Sequence, residues 1–294
     1  VIRSLTSSFP GFPGFPGFPG FPGFRALPAI VVALTLATAI PTFAQDSDDD
    51  AVLKPAEPDF SLVALPTSLR VPRNKSSFRV VHRFTRPLNQ DGSNFGDLVG
   101  DFFGLDGGAQ IGLEYRFGIV PNGQIGIHRT SDKTIEFFGQ YALTRQSASM
   151  PFETAVLVAI DGTNNFKDAY SPAFGVIVTR LIGDHAAIHI EPIFVHHSNV
   201  FEPTVADDNT FMLGLGARVR VRPTVYLVGE YTPRISGYAP FDDQGSFAIE
   251  KRAGGHVFQL NFSNALGTTI SQIASRHFAG NHWYMGFNIS RKFF

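Results

Sequence analysis

Two clusters of residues carry the types and spacings that could do chemistry. In His196-His197-Ser198-Asn199, a histidine and a serine lie two apart; on an extended strand that spacing puts both on one face, where the imidazole can act as base to a hydroxyl nucleophile. No acid is fixed by spacing, so Glu202 or a residue of a neighbouring strand would have to orient His196. Upstream, His185, His189, His196 and His197 crowd one stretch, and His189 and Glu191 share a face at i and i+2 as a candidate pair of metal ligands. Against the first reading, a strand end that meets headgroups and water carries His, Ser and Asn without catalysis. Against the second, polar lining of an interior accounts for the histidines.

The elements that must position these residues are short alternating runs. Ala109, Ile111, Leu113, Tyr115 and Phe117 take one face, while Gln110, Gly112, Glu114 and Arg116 take the other. Twelve such runs are expected, near 77–86, 108–118, 123–130, 133–145, 151–161, 172–182, 185–197, 209–221, 224–234, 246–251, 255–263 and 283–294. An even number returns both ends of the wall to one side of a membrane. Tight turns at Pro121-Asn122-Gly123, Ser147 to Met150, Gly183-Asp184, Arg222-Pro223 and Ala253-Gly254 alternate with longer connections, the asymmetry of an outer-membrane barrel with short periplasmic turns. The expected fold is all-β, a transmembrane antiparallel up-and-down β-barrel of about twelve strands.

Parity then sorts the faces. Phe137, Tyr141, Val158, Leu215, Leu227, Leu260 and Phe287 belong to the lipid side, and Arg79, Arg83, Glu114, Arg116, Glu136, Arg218, Arg220 and Glu230 to the lumen. A charge facing the bilayer midplane costs roughly 2 to 4 kcal/mol, so the sorting is energetically required. The run 172–182 does not sort cleanly, and Phe294 falls out of phase with Phe287, Ile289 and Phe293. By the same parity His196 and Ser198 fall on the lipid face, with Ile190 and Phe194. The arginines opposed by Glu114, Glu136 and Glu230 imply either a mild anion preference or an internally paired, closed barrel. The segment from Phe95 to Leu105 is a candidate plug or outer lid, its plain alternative being a loop on the rim.

Composition limits the remaining classes. The chain has no cysteine and 24 basic against 25 acidic residues in 294. Disulfides, thiolate metal sites and cysteine nucleophiles are thereby excluded, and nothing favours a nucleic-acid partner. Residues 1–24 hold five Phe-Pro-Gly repeats, a low-complexity extension with too much Pro and Gly for a regular element. Residues 25–44 read as a cleavable signal peptide: Arg25 is the positive flank, Ala26 to Ile40 the apolar stretch, and Thr42-Phe43-Ala44 the cleavage site. Residues 45–76, with Asp46, Asp48, Asp49 and Asp50 followed by Pro55, Pro58, Pro66 and Pro72, read as a solvated periplasmic tether, and residues 77–294 as the barrel.

Four stretches, Phe78-Arg79-Val80-Val81-His82-Arg83-Phe84, Phe103-Gly104-Leu105-Asp106-Gly107-Gly108-Ala109, Gly254-Gly255-His256-Val257-Phe258-Gln259-Leu260 and Gly286-Phe287-Asn288-Ile289-Ser290-Arg291, resemble landmarks of a family of bacterial outer-membrane β-barrels of unassigned function. The resemblance runs from about Ser77 to the end; it implies the fold and no site residues. Separately, His196-x-Ser198-Asn199 resembles the core of outer-membrane lipid hydrolases, which implies an acyl substrate at the outer leaflet. The expectation is an exported channel, transporter or envelope component for small polar or amphipathic solutes, without a cofactor. Its partners are outer-membrane lipid, the barrel-assembly machinery and an unidentified small solute. The alternatives are a lipid hydrolase using Ser198 and His196, and a closed structural or docking barrel.

Overall fold

The computed structural model describes residues 53–89, 95–100, 107–200, 204–206, 208–239, 242–275 and 282–294. The low-complexity extension, the expected signal peptide and the acidic run lie outside the described residues. The strands are β1 (Ser76–Phe84), β2 (Ala109–Val120), β3 (Gly123–Thr130), β4 (Ile135–Thr144), β5 (Glu153–Gly162), β6 (Asp168–Ile182), β7 (Ala186–Val195), β8 (Thr210–Arg222), β9 (Val225–Thr232), β10 (Arg234–Gly237), β11 (Gln244–Ala253), β12 (His256–Ser263) and β13 (Tyr284–Phe293). Apart from β10, each pairs antiparallel with its neighbour along the chain, β9 pairing onward with β11, and β1 pairs with both β2 and β13, so the sheet closes on itself. β10 continues β9 past Pro233 against the same neighbour β8, which makes a closed twelve-strand barrel. Pro233 cannot donate a ladder hydrogen bond, and its carbonyl instead accepts from Leu213 N at 2.9 Å.

The tight turns use residues that tolerate positive φ: Asn122 (68°), Gly183 (54°) and Gly254 (57°). Register irregularities between Gly118 and Val120, Ala142 and Thr144, and Arg220 and Arg222 sit at the same end, and a further one lies between Arg234 and Ser236. Along β2, Ile111, Leu113 and Tyr115 are exposed and Gln110, Glu114 and Arg116 buried, and the other staves repeat the alternation. About ten residues per tilted stave match the height of an apolar band. β6 resolves in the same way: Phe174 faces outward, while Ile177 and Thr179 are fully buried inside.

What lies inside departs from the expected tether. From Lys54 to Val71 the chain is a hairpin inside the barrel, with Ser61 bridged to Pro66, Leu62 N bonded to Leu65 O and Thr67 N to Phe60 O. Phe60, Leu62, Val63, Leu65, Leu69 and Val71 are all buried. A solvated tail would leave seven apolar side chains between Phe60 and Val71 in water, whereas inside they join the wall. The hairpin leaves at the tight-turn end, where Asn74 N bonds Gly118 O and Gly118 N bonds Lys75 O. A Cβ on Gly118 would lie 2.0 Å from Pro72 O, so glycine is required for this close approach.

From the opposite end, the connection between β12 and β13 also folds inward, and its short helix Ile270–Ser275 is buried throughout. Ile270, Ile273 and Ala274 meet Leu62, Val63, Ala64 and Leu65 in one cluster with Leu157, Ile177, Ile193, Met212 and Val228 of the wall. In the candidate plug near Phe95, the described helix Phe95–Gly100 has Val99 exposed. The described lumen is filled instead by the hairpin and by 265–275. Phe294 is out of phase because it caps the tight-turn end, its ring 6.4 Å from that of Phe60.

Candidate functional site: the filled lumen

The charged residues assigned to the interior occur where the hairpin needs partners. Glu230 of β9 sits at the hairpin tip, accepting from the backbone N–H of Val63, Ala64 and Leu65 at 3.0 to 3.1 Å. Three converging amides form an anion-binding nest, here occupied by a side chain of the wall. Arg79 of β1 donates to Val63 O at 2.7 Å, and Arg218 of β8 to Ser61 O at 2.6 Å. Arg218 also forms a two-pronged pair with Glu250 of β11 at 2.8 and 3.0 Å, both side chains fully buried. Neutral residues complete the fastening. Gln140 donates to Thr67 O at 2.7 Å, Gln259 to Leu62 O at 3.0 Å, and Gln124 accepts from Val71 N at 2.8 Å.

The remaining interior charges serve the wall and the other insertion. Glu114 accepts from Arg116, which reaches Ser61 Oγ at 3.0 Å and lies 4.7 Å from the Phe138 ring centre. Arg83 donates to the carbonyls of Ala265 and Gly267 at 2.7 and 2.8 Å, and Glu136 accepts from Ile270 N at 3.0 Å. Asp161 accepts from the hydroxyls of Thr269 and Ser271. Arg220 stands apart: its guanidinium bonds Pro223 O at the tight-turn end. Sequence parity missed Glu250 and Asp161, although outward Phe247 and Ile249 already imply that Glu250 points inward.

At the tight-turn mouth a cavity of about 550 Å³ is lined by Lys54, Arg70, Arg73, Arg145 and Glu153 among others. Lys54 pairs with Glu153. Burial lowers the pKa of the Lys54 ammonium, Glu57 opposes this, and Arg70 and Arg145 add repulsion.

The proposed nucleophile and base do not come together. β7 ends at Val195, and His197 has a φ of 52°, which breaks the alternation that would keep His196 and Ser198 on one face. The Ser198 hydroxyl is fully buried and bonded to Thr210 Oγ1 at 2.7 Å, while His196 Nδ1 meets Asn209 Oδ1 at 2.5 Å. The shared lipid face expected for the two residues is therefore corrected. His189 and Glu191 do share the interior face and are both fully buried. His189 meets Thr179 Oγ1 at 3.0 Å through Nδ1, and its Nε2 lies 3.5 Å from Glu57 of the hairpin. The Glu191 carboxylate has no hydrogen-bond partner among the described residues.

A closed sheet with an apolar outer face and a polar inner one defines a membrane β-barrel. The family model described as "Membrane bound beta barrel domain (DUF5777)" matches residues 59–293, and the chain belongs to that family. The match includes most of the hairpin as well as the wall. A comparison with curated proteins finds no match. Among solved structures, the chain is similar to the NanC porin at 7% identity, covering 75% of this chain and 99% of that one with a TM-score of 0.49. It is similar to the Acinetobacter baumannii outer membrane protein Omp33 at 9%, 76% and 100%, with a TM-score of 0.45. For outer membrane phospholipase A from Escherichia coli the values are 9%, 75% and 90%, with a TM-score of 0.42. None of these likenesses bears on what the chain does.

Proposed function

We propose that this protein is an outer-membrane channel for small polar solutes, exported by the segment 25–44 and held shut by its own residues 54–71 together with the inserted connection 265–275. The observation that carries this reading is the polar fastening of the hairpin. Its tip is gripped by Glu230, Arg79 and Arg218, groups that line a water-compatible wall once the hairpin leaves. A barrel meant only as scaffold has no need of a charged inner wall, since an apolar filling avoids the desolvation of buried ions. Among the buried groups that stay on the wall when the hairpin leaves, the carboxyls Glu114, Glu136, Glu153, Asp161, Glu191, Glu230 and Glu250 outnumber the cations Arg79, Arg83, Arg116, Arg218 and Lys292. The opened pore therefore favours cations, reversing the mild anion preference that the arginines alone suggest.

The test is planar-bilayer conductance of the folded, heat-modifiable barrel. The intact chain is expected to be silent. A variant lacking 54–71 and carrying Ile270→Ser and Ile273→Ser, which releases the second insertion, is expected to conduct with cation selectivity. A folded and silent double variant would favour the closed docking barrel instead.

A further inference from the structure

The neck of the connection between β7 and β8 brings together donors that the filled lumen does not use. His196, His197 and Asp208 each place one donor atom within 4.8 Å of the other two. We propose that these three residues form a binding site for a divalent transition-metal ion of the zinc class at the loop end of the barrel. Two imidazoles and a carboxylate suit zinc, copper or nickel better than calcium or magnesium, which prefer all-oxygen shells. Donors on a tetrahedral zinc lie about 3.3 Å apart, so the three donors, now within 4.8 Å of one another, would draw in on binding.

Two further observations point to a built site rather than a chance cluster. Asn209 bridges two of the ligands, its Oδ1 meeting His196 Nδ1 at 2.5 Å and its Nδ2 donating to Asp208 Oδ1 at 2.6 Å. An acceptor on Nδ1 fixes the tautomer and leaves the Nε2 lone pair for a metal, the usual duty of a group behind a ligand. Asp208 Oδ2 remains for the shared ion, 3.5 Å from His197 Nε2. The neck itself is held independently of any ion, by Ser198 N bonded to Asp208 O at 2.7 Å and by the Ser198 hydroxyl on Thr210. His197, at positive φ, has its ring stacked on that of His196, with centroids 4.1 Å apart. Donors on a braced neck lose less freedom on binding than donors on a loop tip. Three protein ligands and an exposed face leave a position for water, which makes the ion exchangeable.

Zinc chloride titrated calorimetrically into the full-length folded barrel tests this. One equivalent is expected to bind, with at least about tenfold weaker affinity for Asn209→Ala and a larger loss for His196→Ala/His197→Ala. His185→Ala, which removes an exposed histidine on another turn, serves as the unaffected control. Heat-modifiable migration verifies that every variant is folded, and X-ray absorption of the zinc-loaded wild type should show imidazole in the metal's shell. No binding up to about millimolar zinc, retained affinity in the double histidine variant, or a shell without imidazole would each overturn the proposal.

Discussion

The wall and the hairpin face the same constraint, backbone polar groups held away from bulk water, and meet it by different means. Each stave of the wall spends its N–H and C=O groups on its neighbours, and closure of β1 onto β13 leaves no edge. The hairpin has few internal bridges, Lys54 to Glu57 and Ser61 to Pro66. Its amides and carbonyls are satisfied by side chains of the wall: Glu230, Arg79, Arg218, Gln140, Gln259 and Gln124. Local pairing makes the wall self-sufficient. Side-chain pairing makes the hairpin's position depend on single residues, and so makes it separable from the wall.

Substitutions on the two sides of that contrast should fail differently. The largest effect is expected for Arg218→Met, which strands Glu250 in the interior and frees Ser61 O; about 3–5 kcal/mol of stability should be lost in urea unfolding from detergent micelles. Because the cost is an orphaned charge, Arg218→Met/Glu250→Leu should recover part of it. Leu113→Arg on the lipid side of β2 should cost about 2–4 kcal/mol in bilayer refolding without releasing the hairpin. Gly118→Val, which meets Pro72 O, should cost about 1–3 kcal/mol and raise channel opening, since it pushes the exit of the hairpin off the wall. Smallest is Arg291→Ala: its pair with His256 is exposed, and the change should stay within about 0.5 kcal/mol.

The wall was legible because the period-2 pattern is imposed by two solvents, lipid and interior, on every stave. Twelve runs, their tight turns at Asn122, Gly183 and Gly254, and the inward arginines follow from that alone. β6 resisted because Ile177 packs against inserted chain, so an apolar residue occupies a luminal position. The hairpin was not legible because its prolines and acidic neighbours imitate a solvated linker. The signal present was Phe60-Ser61-Leu62-Val63-Ala64-Leu65, an apolar run without lipid-facing parity, in a chain whose wall offers donors and acceptors with no evident partners. The serine and histidine pair failed on one dihedral: the positive φ at His197 is invisible to spacing arguments.

The absence of cysteine makes the central claim directly measurable. Single cysteines are placed at Ala64, on the hairpin tip, and at Ser149, on an exposed turn. Each folded barrel is then treated with a membrane-impermeant maleimide. A hairpin seated in the lumen predicts prompt labelling of Ser149→Cys and labelling of Ala64→Cys only after unfolding. Equal rates at both positions in the folded barrel would contradict it.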